Sequence, residues 1–130
     1  MKYYIDSGNI EDIIRIAACF PLSGLTTNPE ILARERRQPF ELYREIHRRV
    51  PQIQQFHMQV VSTETDDIVR EACHMRQMLT SGQNAIQENT FFVKIPVNKS
   101  GVAAMMRLKQ EGVSFTATGV FTAAQGLLAG

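Results

Sequence analysis

Apolar residues recur along the 130-residue chain in two alternating rhythms. Short runs rich in β-branched and aromatic residues alternate with longer stretches at helical spacing. The first run, Tyr3 to Asp6, predicts a strand that ends on a carboxylate. Ser7-Gly8-Asn9 makes a turn in which Asn9 can cap a helix. Ile10, Ile13, Ile14, Ala17 and Ala18 carry that helix to about Cys19, and Pro21 stops it. Gly24 to Thr27 predicts a second strand. Asn28-Pro29 then supplies an N-cap and a proline at the first position of a short helix, Glu30 to Arg36. Pro39 restarts a helix to about Arg49, with Phe40, Tyr43, Ile46 and Val50 on its apolar face. Phe56 to Val61 predicts a third strand. Thr63 or Thr65 is expected to cap the next helix, with Asp66 and Asp67 in its first turn and Ile68, Ala72, Met75 and Leu79 along one face. Residues 80–90 read as a polar loop and Phe91 to Val97 as a fourth strand. A helix from about Ser100 to Glu111 is closed by Gly112, Val113 to Thr118 predicts a fifth strand, and a last helix begins near Phe121.

Strict β-α alternation predicts a parallel sheet covered by helices in one domain spanning residues 1–130. Both an eight-fold barrel and an open doubly wound sheet are built from such right-handed units, and both carry their chemistry at the C-terminal ends of the strands. No glycine-rich nucleotide-binding fingerprint follows any strand. The strand-end rule collects Asp6 from the first strand and Thr26, Thr27 and Asn28 from the second. The third adds Gln59 and Ser62, the fourth Lys94 and the fifth Thr118.

Lys94 stands in the middle of the apolar run Phe91-Phe92-Val93-Lys94-Ile95-Pro96-Val97. A buried ammonium must pair, reach water or lose its proton. A lysine that loses its proton is a nucleophile suited to Schiff-base formation with a carbonyl. Asp6 could move the protons of that reaction, Asn28 and Gln59 could hold substrate hydroxyls or a water, and Thr118 could sit near the imine. Structural readings stand beside each of these: Lys94 paired with Asp6, Asp6 shaping its turn, and Asn28 acting as an ordinary helix cap.

Composition narrows the remaining classes. Fourteen basic and thirteen acidic residues leave a net charge of +1, which gives no general drive toward nucleic acid or membrane. Residues 34–37 read as a solvated face, and a nucleic-acid role for the arginines at 34, 36, 37, 44, 48 and 49 is a weak alternative, because they are interleaved with acids. No apolar run approaches a membrane span, and the N-terminus does not read as a signal peptide, so a cytoplasmic protein is expected. Cys19 and Cys73 are expected to be buried, inert thiols. Together with the dispersed His47, His57 and His74 they predict no metal site.

Two segments resemble known signatures. Gly24-Leu25-Thr26-Thr27-Asn28-Pro29-Glu30-Ile31-Leu32 is similar to the first transaldolase signature, and Val93-Lys94-Ile95-Pro96-Val97 to the Schiff-base signature. Met1 to Asp6 and Ala123 to Leu128 also resemble the short members, so that similarity to the fructose-6-phosphate aldolase and small transaldolase family runs over essentially the whole chain. The resemblance implies a class I aldolase on a (β/α)8 TIM barrel, of which about the first five βα units are present. It implies no metal or other cofactor beyond the covalent imine. Lys94 matches the imine-forming lysine and Asp6 the proton-transfer carboxylate. Thr26 and Asn28 match residues lining the ketose site, and Thr118 a hydroxyl near the imine. Gln59 stands where the transaldolases tend to carry Glu and the fructose-6-phosphate aldolases Gln. An amide orients a water but takes no proton.

The expected reaction is cleavage of fructose 6-phosphate to dihydroxyacetone and glyceraldehyde 3-phosphate. The alternatives are transfer of the dihydroxyacetone unit, as in a transaldolase, and a non-catalytic half-barrel module. The partners expected are a small sugar phosphate and further copies of the chain, with no nucleic acid and no membrane. Glu30, Asn98 and the long 80–90 loop depart from the family pattern. The chain is expected to be a fragment of a longer protein, with the phosphate-binding residues on strands six to eight beyond residue 130.

Overall fold

The computed structural model describes all residues 1–130. Five strands are β1 (Tyr3–Asp6), β2 (Leu22–Thr26), β3 (Gln55–Gln59), β4 (Phe91–Pro96) and β5 (Phe115–Thr118). The helices between and after them are α1 (Ile10–Ala17), α2 (Pro29–Glu35), α3 (Pro39–Arg49), α4 (Thr65–Thr80), α5 (Lys99–Gln110) and α6 (Ala123–Ala129). A single 3-10 turn, Glu88–Thr90, interrupts the loop that sequence reads as irregular.

All four strand pairings are parallel, and the order across the sheet is β1-β2-β3-β4-β5. A doubly wound sheet reverses its strand order at a switch point, whereas a barrel adds each strand beside the last. The sequential order therefore removes the open-sheet alternative. The chain forms five successive units of a TIM-barrel-type α/β fold.

Alternation along the strands separates the two faces. In β4, Phe91, Val93 and Ile95 are buried while Phe92, Lys94 and Pro96 are half-buried. The first three join Leu25, Phe56, Met58, Ile68, Ala104 and Leu108 in one apolar core of 25 residues between sheet and helices. The second three share the opposite face with Tyr4 and Asp6, Thr26, His57 and Gln59, and Thr116 and Thr118, as the period of two requires. The outer edges of β1 and β5 are unpaired.

Several local expectations hold. Asn9 and Asn28 cap α1 and α2 through their side chains, Pro29 opens α2, and Gly112 follows α5 at φ +67°. Two do not. Neither Thr63 nor Thr65 caps α4: Glu64 occupies the cap without a side-chain bond, and the Thr65 hydroxyl donates instead to the Ser100 carbonyl (3.2 Å). Cys19 is exposed rather than buried, because α1 ends at Ala17 and residue 19 has left its apolar stripe; Cys73 is half-buried. No helix is long and apolar enough to cross a membrane.

Candidate active site

Lys94 projects from the middle of β4 on the face away from the helices and is half-buried. Its Nζ donates to the main-chain carbonyl of Thr27 at 3.0 Å. Thr27 lies just beyond β2, so the side chain reaches past the whole width of β3. Burying an ammonium beside a fixed carbonyl satisfies one of its three donors and leaves the others to water or substrate. Asp6 forms no ion pair with Lys94; the direct pairing that sequence leaves open is absent. The Asp6 carboxylate accepts instead from the Thr26 hydroxyl at 2.5 Å and remains exposed. The amine therefore rests on the residue adjoining the one that holds the carboxylate.

The other predicted residues fall at the same strand ends but in different states. Gln59 lies opposite Lys94 in the β3–β4 register and is half-buried, so the two side chains leave the same face of adjacent strands. Thr118 closes β5, and its carbonyl ties down the Val97 N–H at 2.9 Å. Asn28 is engaged in structure: its Oδ1 accepts from the Ile31 N–H at 2.9 Å as the cap of α2. That leaves its amide N–H groups as the part able to meet a ligand.

The loop after β4 is set by close packing. A Cβ on Gly101 would lie 2.0 Å from the Pro96 carbonyl oxygen, so only glycine lets α5 approach this end of the strand. Asn98 caps α5 by accepting from the Gly101 N–H (2.8 Å).

One layer below Lys94 lies His57, which is buried. Its ring stacks on Phe92 (centroids 4.8 Å apart, 9° between planes) and meets the edge of Tyr4. Nδ1 lies 2.9 Å from the Thr116 hydroxyl, and Nε2 is buried without a partner. Burial, and after it the charge of Lys94, lowers the His57 pKa to about 4. The imidazole is therefore neutral near pH 7. The larger grooves do not include Lys94. One of about 460 Å³, lined by Lys2, Ser23, Gln55 and Thr90 among others, opens at the N-terminal ends of the strands. In barrels that end serves stability rather than chemistry.

An amine, a carboxylate, an amide and two hydroxyls at the C-terminal rim of a parallel sheet suit carbonyl chemistry. Residues 3–130 match the family model described as Transaldolase/Fructose-6-phosphate aldolase. The chain belongs to the transaldolase/fructose-6-phosphate aldolase family. A relative named probable fructose-6-phosphate aldolase, from Streptococcus pneumoniae (strain ATCC 700669 / Spain 23F-1), is 32% identical over 130 residues. That match covers 99% of this chain and 55% of the relative, so the chain spans about half the length of the curated relative it matches.

Within this transaldolase/aldolase-family chain, the strand-end rule finds Asp6, Thr26, Gln59, Lys94 and Thr118. It passes over His57 and Thr116, which belong to the same face. Alternation would have supplied both, since His57 is two residues before Gln59 and Thr116 two before Thr118. No three His, Cys, Asp or Glu side chains come together as a metal-holding group. Of the arginines at 34, 36, 37, 44, 48 and 49, three are ion-paired: Arg34 with Glu30, Arg37 with Glu45, and Arg49 with Glu11 and Glu45.

Proposed function

We propose that residues 1–130 form a single partial-barrel domain carrying the imine-forming machinery of a class I aldolase that cleaves fructose 6-phosphate to dihydroxyacetone and glyceraldehyde 3-phosphate. The observation that carries this reading is the placement of the Lys94 amine on Thr27, beside the Thr26–Asp6 pair.

The Lys94 Nζ, once unprotonated, attacks the C2 carbonyl of the ketose. The carbinolamine loses water to give an imine, and Asp6 supplies and withdraws the protons, directly or through a water held by Gln59. Loss of the C4 hydroxyl proton breaks the C3–C4 bond. Its electron pair passes to the protonated imine nitrogen as an enamine, and glyceraldehyde 3-phosphate leaves. Protonation at C3 and hydrolysis release dihydroxyacetone and restore the amine. Thr26 and the Asn28 amide hold substrate hydroxyls, and Thr118 bonds near the imine. The nitrogen is the electron sink, so no cofactor is required, and a chelator is expected to leave activity unchanged. The partners in this reading are a sugar phosphate and further copies of the chain.

Gln59 favours release over transfer in this reading, because it stands where the fructose-6-phosphate aldolases carry Gln, and an amide orients a water but exchanges no proton of its own with the acceptor aldehyde. The test is product analysis of the full gene product with fructose 6-phosphate, with and without erythrose 4-phosphate. Free dihydroxyacetone at equal rates in both supports the aldolase. Product formation only when erythrose 4-phosphate is added supports a transaldolase instead, and no reaction in either overturns both catalytic readings.

A further inference from the structure

Two hydroxyls that no step above uses meet behind the Lys94 amine. Thr27 and Tyr43 are both fully buried (0% exposed). Every hydrogen-bonding group of Thr27 is engaged. Its N–H donates to the His57 carbonyl at 3.1 Å, its carbonyl accepts from Lys94 Nζ at 3.0 Å, and its hydroxyl lies 2.6 Å from that of Tyr43. Proton counting fixes the direction of the last bond. Tyr43 has a single hydroxyl proton, and the His57 carbonyl at 2.8 Å can only accept it. The phenol therefore donates to His57 and receives from Thr27. Burial raises the Tyr43 pKa, so this proton stays in place across the working range.

We propose that Tyr43 and Thr27 are positioning residues that fix where the Lys94 amine rests. The relay begins on α3, outside the sheet, and passes between β2 and β3 to end at the one protein acceptor the amine uses. The hydroxyl bonds and the N–H bond fix the Thr27 side chain and the peptide that precedes it against α3 and β3, and the carbonyl that meets Lys94 follows on the next peptide. Thr27 adjoins Thr26, whose hydroxyl holds Asp6. The amine is thereby drawn across β3 toward the carboxylate instead of being left to the many rotamers of a free lysine. Effective catalysis depends on such placement, and a misplacement of about 1 Å can cost roughly a hundredfold in rate.

This inference rests on the imine reading of Lys94, and the experiment separates the two. In the full gene product, the first-order rate of borohydride inactivation at fixed dihydroxyacetone is measured for wild type, Y43F, T27V and T27S. kcat and KM for fructose 6-phosphate are measured alongside, and Tm confirms folding. Wild type without inactivation removes the imine reading and the relay with it. With wild type reactive, the relay predicts that Y43F and T27V lose about tenfold or more in inactivation rate and kcat, with KM within about twofold. T27S, which restores the donated hydroxyl, is expected to recover most of the rate. Wild-type rates in Y43F and T27V, a change confined to KM, or a T27S as slow as T27V would overturn the relay. Y43F keeps the buried ring and decides the matter if T27V does not fold.

Discussion

His57 and Lys94 share one face on adjacent strands, and the charge of one bears on the state of the other. With its pKa lowered to about 4 against an ordinary 6.5, folded His57 binds a proton less readily than it does in the unfolded chain. Its neutral state therefore favours folding above about pH 6.5, and that contribution is lost as the pH falls toward 4. Between pH 7 and 4.5 the loss comes to about 2–3 kcal/mol. H57F keeps an aromatic ring against Phe92 but does not titrate. Urea unfolding at the two pH values is expected to show wild type losing about 2–3 kcal/mol more than H57F; equal losses would remove the account. Lys94 itself is tested by K94R, which keeps the charge but not the nucleophile. kcat is expected to fall by roughly 10⁴-fold or more, with secondary structure unchanged by circular dichroism. At this scale sequence shows chemistry better than contact. A lysine in an apolar strand is conspicuous from residue types alone, and so are its strand-end companions. That its amine bonds Thr27, 67 positions away, is not, because only the strand order brings them together. Asn28 is a case where both readings persist in one side chain, with Oδ1 capping α2 and its N–H groups left over.

The element that most constrains the site is α5, whose N-terminus is pressed against the end of β4. Gly101 permits that approach, and G101A puts a methyl group against the Pro96 carbonyl, two residues after Lys94. Overpacking of this kind costs about 1–3 kcal/mol, and the strain falls on the strand that carries the amine. Urea denaturation of G101A is expected to show a loss in that range, together with slower borohydride trapping; wild-type values for both would contradict the packing. The elements themselves were legible where local chemistry dictates them. Asn9, Asn28-Pro29 and Gly112 bound their helices because caps and prolines act within a few residues. Strand ends differ by at most two residues, as at β2, which begins at Leu22 rather than Gly24. The pairing that extends it, Tyr3 with Leu22, is a long-range event. The cap of α4 differs from expectation for the same reason: the Thr65 hydroxyl goes to Ser100 on the neighbouring α5 and not to its own helix.

Across the whole molecule, sequential parallel strands distinguish the barrel from the doubly wound sheet that the alternating pattern equally allowed. No local pattern carries strand order, so sequence reached the barrel only through family resemblance. The same topology leaves β1 and β5 with free outer edges. Tyr3 and Phe20 at one end, and Phe121, Leu127 and Leu128 at the other, are exposed. Unpaired edges beside apolar surface favour association. A polypeptide of residues 1–130 alone is expected to elute as oligomer or aggregate at micromolar concentration when followed by light scattering. A stable monomer would contradict this. The imine-forming role of Lys94 turns on one nitrogen atom. It is tested most directly by treating the full gene product with dihydroxyacetone and borohydride and mapping the adduct by peptide mass spectrometry. A reduced three-carbon adduct on Lys94 is the predicted result, and no adduct, or an adduct confined to other lysines, would contradict it.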